Sequence, residues 1–423
     1  MGRVALVTFL FILSSYTIIY MSLRIVVDSS IPYMADGMPL GVEAHYLPSG
    51  EITAEAVADA DALMIRSVTR CDRTLLEGSA VRLITSATAG FDHIDTEYCR
   101  EAGIRWFNAP GCNAASVAQY VLTAISRIAL EQGLAPEDIT LGIIGTGHTG
   151  GRVYQRAKAL GIRTLLYDPP LVAAYDEHPD WQSYLEELDR NGLPRPYLAD
   201  DMPALRDSYV DLDTLLSSAT MITCHVPLTK GGAHPTYHLV DDTFLRNAQQ
   251  HPWLINACRG AVVDTSALVQ ALDDKAVAGA VIDCWEGEPH IAQPLLDRVF
   301  IGTPHIAGFS VHGKAQGAVQ SLRHLCDFFD LSDTRIALAH PRPLAEPYLD
   351  LSGCEPWQIP WRGMIHTLDL PAIMKRLVAS PDTFEQQRVH YQHPYEPRDY
   401  TIRGVPASVR PALTALGFAV ESE

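Results

Sequence analysis

The chain is short of positive charge: 32 Lys and Arg stand against 50 Asp and Glu, a formal net charge of -18 over 423 residues. A surface of that sign repels a phosphate backbone, which excludes nucleic acid as a partner and leaves any anionic ligand dependent on a local basic pocket. Cysteines are few and scattered. The eight, at 71, 99, 112, 224, 258, 284, 326 and 354, never reach the close pair spacing of zinc ribbons or dithiol redox motifs, so no metal site is expected. An even count argues for disulfides only in short secreted chains, and reduced thiols are the expectation here. No internal repeat is visible.

What is present is an ordinary core composition, 47% hydrophobic, on a chain long enough for two or three domains. The N-terminus departs from it. Val4 to Leu23 carries no charge and only Arg3 precedes it, a length near the lower limit for a membrane span. A cleavable signal needs a small-residue site that does not follow the apolar run. Met21 directly precedes the strand-like Leu23-Arg24-Ile25-Val26-Val27-Asp28, so residues 1–21 read as an extension upstream of the true start, an anchor or a signal being the other readings. A cytoplasmic protein without membrane association is expected.

From residue 23 to about 308, short apolar runs alternate with helix-period stretches, the pattern of parallel strands joined by crossover helices. The class is α/β: two doubly wound parallel-sheet lobes and a small C-terminal α+β domain. Strands are predicted at 61–67, 83–88, 140–145, 163–167, 221–226, 253–257 and 278–283, rich in residues that suit burial on both faces. Between Ser116 and Leu130 the residues Val117, Tyr120, Val121, Ala124 and Ile128 recur three or four apart, predicting a hinge-side helix with one buried face. The expected organisation is a first lobe of 22–114 and 305–335, a nucleotide lobe of 115–304 with a polar, proline-containing insertion at about 171–212, and a C-terminal domain of 336–423.

Gly145-x-Gly147-x-x-Gly150 follows the apolar strand at 140–145 and opens a helix carrying Val153, Ala157 and Leu160. In that setting the first glycine permits the tight turn, the second lets a pyrophosphate approach the backbone, and the third lets helix and strand pack closely. The helix N-terminus then stabilises the phosphate charge. Asp168 ends the next strand about twenty residues on, where a carboxylate bonds ribose hydroxyls and repels a 2′-phosphate, favouring NAD over NADP. A turn aspartate before Pro169 and Pro170 is the plainer reading.

Three polar residues stand just beyond later strands, where open parallel sheets place their chemistry: Arg259, Glu288 and His305. Oxidising a 2-hydroxy acid by hydride transfer needs a fork for the carboxylate, a base for the hydroxyl proton and a group to tune that base. Arg259 can grip the carboxylate with two nitrogens. His305 can take the proton, with Glu288 holding the imidazole and favouring its protonated form.

With these residues go several longer motifs: Arg66-Ser67-Val68-Thr69, Thr88-Ala89-Gly90-Phe91-Asp92-His93, Ala109-Pro110-Gly111-Cys112-Asn113-Ala114, Asn256-Ala257-Cys258-Arg259-Gly260, Trp285 to Pro289, and Thr303-Pro304-His305-Ile306-Ala307-Gly308. From about residue 23 to 320 the chain resembles the D-isomer-specific 2-hydroxyacid dehydrogenase family. That resemblance implies active-site roles for Arg259 and Glu288 and a proton-transferring His305. It further implies that Ser67, Thr88 and residue 309 meet the substrate, and that Asp168, Asp283 and Gly308 meet NAD. The cysteine-containing motif forms point away from the phosphoglycerate enzymes and toward another small phosphorylated 2-hydroxy acid, handled by a cytoplasmic homodimer joined partly through the C-terminal domain. Phe309 replaces a tyrosine usual at that position, and Val226 a threonine expected near NAD. A different acid of the family, phosphoglycerate among them, and an NAD-sensing interaction protein on the same fold are the competing readings.

Overall fold

In the computed structural model the described residues are 23–190 and 195–421, so the apolar segment 1–21 and its proposed origin lie outside them. Among the described residues no helix is long and apolar enough to cross a membrane.

Two parallel sheets carry the fold. The first contains β1 (Leu23–Asp28), β2 (Val42–Leu47), β3 (Ala62–Ile65), β4 (Leu83–Ser86) and β5 (Arg105–Phe107), in the order β2-β1-β3-β4-β5. The second contains β6 (Thr140–Ile144), β7 (Arg163–Tyr167), β8 (Met221–Cys224), β9 (Trp253–Asn256), β10 (Gly279–Ile282) and β11 (Ile301–Gly302), in the order β11-β10-β9-β8-β6-β7. Central strands are buried along their whole length, as in β3, β4, β8 and β10, because crossover helices cover both faces. Each buried Ile, Leu or Val there contributes about 1.5–3 kcal/mol of apolar transfer. All seven strands expected in this region form. The reading missed β2, whose Glu43 and His45 break the apolar run on an edge strand, and β5 and β11, which are only three and two residues long.

The helix expected at 116–130 runs from Ala114 to Gln132 (α1), but it is buried nearly all round rather than on one face. Its second partner is the reason. One side packs on α2 (His148–Ala159), and the other is covered by a C-terminal helix, Ile359–Thr367, with Gln119 donating to the Tyr395 carbonyl at 2.9 Å. The described residues of the 171–212 excursion are structured. Helices α3 (Pro169–Glu177) and α4 (Trp181–Arg190) close over α2, burying Trp181, Leu185, Leu198 and Met202 beside Val153 and Tyr154, and the Trp181 indole donates to the Ala199 carbonyl at 2.7 Å.

After β11 the chain crosses back as α5 (Val311–Phe329), whose Ala318, Leu322 and Leu325 pack against Ile25, Met64 and Leu83 of the first sheet. The two crossings are tied together where Ser116 and Ser310 lie 2.6 Å apart and Ser310 donates to the buried Glu396 at 2.8 Å. The C-terminal region closes with three short parallel strands, β12 (Tyr348–Asp350), β13 (Thr401–Arg403) and β14 (Ala419–Val420).

Candidate active site

Strand order reverses at β6, which has β7 on one side and β8 on the other, so a crevice opens at the carboxyl end of β6. The glycine loop lies there. Gly145 has φ +86°, and a Cβ on it would stand 2.7 Å from the His225 carbonyl oxygen. A Cβ on Gly150 would stand 1.9 Å from the Gly145 carbonyl oxygen, whereas one on Gly147 would meet nothing within 4 Å. Helix α2 therefore begins tight against the strand and open toward the crevice. Its N-cap is Gly147 with no side-chain cap, while other helices open on aspartates that accept first-turn amides, as at Asp211, Asp241 and Asp264. Uncapped amides beneath an open glycine fit a pyrophosphate. Gly150→Ala is expected to push α2 off the strand and weaken NADH binding about tenfold, the worth of one charge-assisted hydrogen bond, as measured by NADH fluorescence titration.

Asp168 braces this loop. Its Oδ2 accepts from the Thr146 amide at 2.7 Å and hydroxyl at 2.9 Å, and its Oδ1 caps α3 through the Leu171 amide at 3.3 Å. The plainer turn role is thus present, with acceptor capacity remaining on Oδ1.

Adjacent strands β9, β10 and β11 each end just before one of the three polar residues. Asn256 closes β9, and its amide donates to the carbonyls of Arg259 and Cys284 at 3.0 and 3.3 Å, fixing the turn that carries the arginine. Beyond β10, the Trp285 amide donates to Glu288 Oε2 at 3.0 Å, and the Trp285 indole donates to the Thr303 carbonyl at 2.8 Å. Beyond β11, His305 adopts φ +54°, a left-handed conformation that non-glycine residues hold only when their surroundings impose it. Asp283 imposes it. Fully buried, it accepts from the Thr303 hydroxyl at 2.6 Å and the Ile306 and Ala307 amides at 2.8 and 2.9 Å, while its own carbonyl accepts the His305 amide at 2.9 Å. The Asp283 carboxylate is therefore first a scaffold for the histidine turn. Gly308 completes it, since a Cβ there would stand 2.5 Å from Asn113 Nδ2.

The structure brings Glu288 and His305 together: Nδ1 of the histidine and Oε1 of the glutamate are 2.5 Å apart. With Nδ1 donating there, Nε2 is left as the acceptor. Burial works to raise the Glu288 carboxyl, but the hydrogen bond and charge of His305, the Trp285 amide and the Arg388 charge hold it below the ordinary value.

Of the three substrate positions implied by resemblance, Thr88 is engaged with its own loop, donating to the Gly90 carbonyl at 3.0 Å, and Ser67 is exposed at the end of β3. Phe309 joins a cluster that sequence reasoning did not assemble. Lys314 Nζ lies 3.5 Å from the Phe309 ring centroid, the Arg388 guanidinium 5.9 Å, and the Tyr391 and His393 rings 6.4 and 5.6 Å. Burial pushes the Lys314 ammonium well below its ordinary value, and Arg66 and Arg388 add to the shift. Arg66 is lowered by burial and by Arg388, against the opposing pull of Asp28. His393 is pushed down to about 4 by burial, Lys314 and Arg66. Among the described residues no carboxylate forms an ion pair with Lys314 or Arg66. In an acidic chain, three cations and a histidine converge; Glu385 pairs with Arg388 at 3.5 Å and Asp28 pulls on Arg66, while Lys314 has no ion-pair partner among the described residues.

Known proteins resemble this chain in sequence and fold. The family described as D-isomer specific 2-hydroxyacid dehydrogenase, NAD binding domain, matches residues 194–307. A protein of Porphyromonas gingivalis is 41% identical over 397 residues, covering 94% of this chain and 100% of its own length, and one of Bacteroides thetaiotaomicron is 39% identical, covering 90% and 100%. The TT0316 protein of Thermus thermophilus superposes with a TM-score of 0.55 at 25% identity, covering 73% of this chain and 97% of that one. A D-lactate dehydrogenase of Aquifex aeolicus, complexed with NAD and lactic acid, shares the fold with a TM-score of 0.53 at 22% identity, covering 72% and 95%. The chain belongs to the D-isomer-specific 2-hydroxyacid dehydrogenases, NAD-dependent oxidoreductases. Within that family, the Porphyromonas and Bacteroides relatives both carry the name erythronate-4-phosphate dehydrogenase.

Proposed function

We propose that the chain oxidises 4-phospho-D-erythronate at C2, with NAD, to 2-oxo-3-hydroxy-4-phosphobutanoate in the route to pyridoxal 5′-phosphate. The observation that carries the phosphorylated substrate is the cluster of Lys314, Arg388 and His393 around Phe309, with the Arg66 charge acting on Lys314 and His393. Clustered cations repel one another and cost stability unless a dianion joins them. A phosphate monoester supplies that charge and enough acceptor oxygens for several donors.

At the other end of the substrate, Arg259 holds the carboxylate. His305 Nε2 accepts the C2 hydroxyl proton, and Glu288, ionised and fixed at both oxygens, stabilises the imidazolium that results. NAD, when bound, would supply the acceptor for the C2 hydride. The uncapped amides of α2 and Gly145, Gly147 and Gly150 would hold its pyrophosphate, and Asp168 Oδ1 its ribose. Asp283 and Gly308 set the turn against which the nicotinamide would lie. Thr88 and Ser67 would approach the substrate from the first lobe, and Phe309 would act as an apolar platform beneath Lys314.

The eight free thiols and the use of NAD support a cytoplasmic location. Exposed Tyr348, Trp357, Val378 and Val389 give the C-terminal region apolar surface for a homodimer.

Purified protein given NAD and 4-phospho-D-erythronate should form NADH; absence of turnover with this acid would refute the reading. Burial, Lys314 and Arg66 hold His393 down to about 4 without the anion, and a phosphate dianion beside it favours its protonated form. Calorimetry in buffers of different ionisation heat should register proton uptake on binding 4-phosphoerythronate at pH values above about 4, where free His393 is neutral, and much less with D-erythronate.

A further inference from the structure

Arg259 already holds a carboxylate of its own chain. Its Nη1 donates to the Cys258 carbonyl at 2.9 Å, and its Nη2 lies 3.5 Å from Oδ2 of Asp92. The two residues belong to different lobes, Arg259 following β9 of the second sheet and Asp92 following β4 of the first.

The loop carrying Asp92 is shaped for this contact. Thr88 Oγ1 donates to the Gly90 carbonyl at 3.0 Å, Asn108 Nδ2 donates to the Ala89 carbonyl at 2.7 Å, and the Phe91 ring rests 5.1 Å from the Trp106 ring. Gly90 lets the guanidinium approach, since a Cβ there would stand 2.9 Å from Arg259 Nη2 and 3.4 Å from Asp92 Oδ2. The Asp92 side chain is 83% exposed, and among the described residues Arg259 is its ion-pair partner.

We propose that Asp92 is an internal stand-in for the substrate carboxylate, held on Arg259 until the incoming acid exchanges for it, so that Asp92 sets the affinity threshold for carboxylates. This rests on the reading of Arg259 as the carboxylate-binding residue. The exchange is favoured because a single-oxygen contact at 3.5 Å is weaker than a two-oxygen grip on the guanidinium fork. An acid that offers only one oxygen gains nothing over Asp92, so the aspartate also selects.

The test is Asp92→Asn, which keeps shape and removes charge. Exposed ion pairs have modest worth, so KM for 4-phosphoerythronate and the dissociation constant of oxalate from the enzyme–NADH complex should both fall about threefold. Asp92→Glu should return both toward the wild-type values, and the gain from Asp92→Asn should fade as salt screens the pair. NADH affinity measured alongside controls for folding. A rise in KM or in the oxalate constant for Asp92→Asn overturns the proposal, because Asp92 then helps to hold the acid. Arg259→Gln separates the two readings. It should weaken oxalate at least tenfold and abolish the Asp92→Asn gain in the double variant, about the loss of one charge-assisted hydrogen bond. If Arg259→Gln leaves oxalate binding untouched, the role of Arg259 and the stand-in both fail. If it weakens oxalate while Asp92→Asn tightens nothing, the stand-in alone fails.

Discussion

His305→Asn is expected to lower kcat by about a thousandfold, the range of a general base removed from its proton, while NADH binding stays nearly intact. The separation follows from position. The imidazole stands beyond β11, paired to Glu288 at 2.5 Å, whereas the proposed cofactor contacts lie on the loop after β6 and at Asp168. Asparagine at 305 can still donate to Glu288 but cannot take the hydroxyl proton. It also tolerates left-handed backbone, so the turn held by Asp283 should survive. Steady-state rates read beside NADH fluorescence titration check both halves. A variant that bound no NADH would show that the histidine turn supports the nucleotide lobe instead, and near wild-type turnover would remove His305 from the chemistry.

Lys314→Met should separate stability from recognition. The ammonium sits over Phe309, repelled by Arg66 and Arg388, so an apolar side chain of similar length should raise the melting temperature of the ligand-free protein. The same change removes a charged donor from the proposed phosphate site. KM for 4-phosphoerythronate should rise about ten- to a hundredfold, the worth of a hydrogen bond to a charged group, with little change for unphosphorylated D-erythronate. Equal losses for both acids would assign Lys314 to the fold or to the carboxylate end.

The legible and illegible parts of the site differ in how they are built. Arg259, Glu288 and His305 each follow a strand that parallel packing makes a continuous apolar run, so strand and neighbouring chemistry are read in one short window. The glycine loop is legible for the same reason. Lys314, Arg388 and His393 are not, because α5, the C-terminal helix Phe384–Val389 and the segment after it meet only when the chain has returned across the hinge. The family resemblance points position 309 toward the substrate but cannot show Lys314 standing over the Phe309 ring. The helices of the 171–212 insertion were hidden by its prolines, although Trp181 and Leu185, four apart and both buried, carried the signal. Spacing points Asp168 to NAD and the resemblance points Asp283 there, and tertiary hydrogen bonds give each a further duty as a brace that neither signal can reveal. The single buried face expected for α1 failed because the C-terminal region covers the side that would otherwise meet water.

An NAD-dependent 2-hydroxyacid dehydrogenase site fitted to one phosphorylated acid should show that fit in its relative turnover of related acids. The direct measurement is kcat/KM for NAD reduction with 4-phospho-D-erythronate, 3-phosphoglycerate and D-erythronate under one set of conditions. 4-Phospho-D-erythronate should exceed both of the others, with D-erythronate losing at least the factor lost by Lys314→Met. Preference for 3-phosphoglycerate, or indifference to the phosphate, would contradict it.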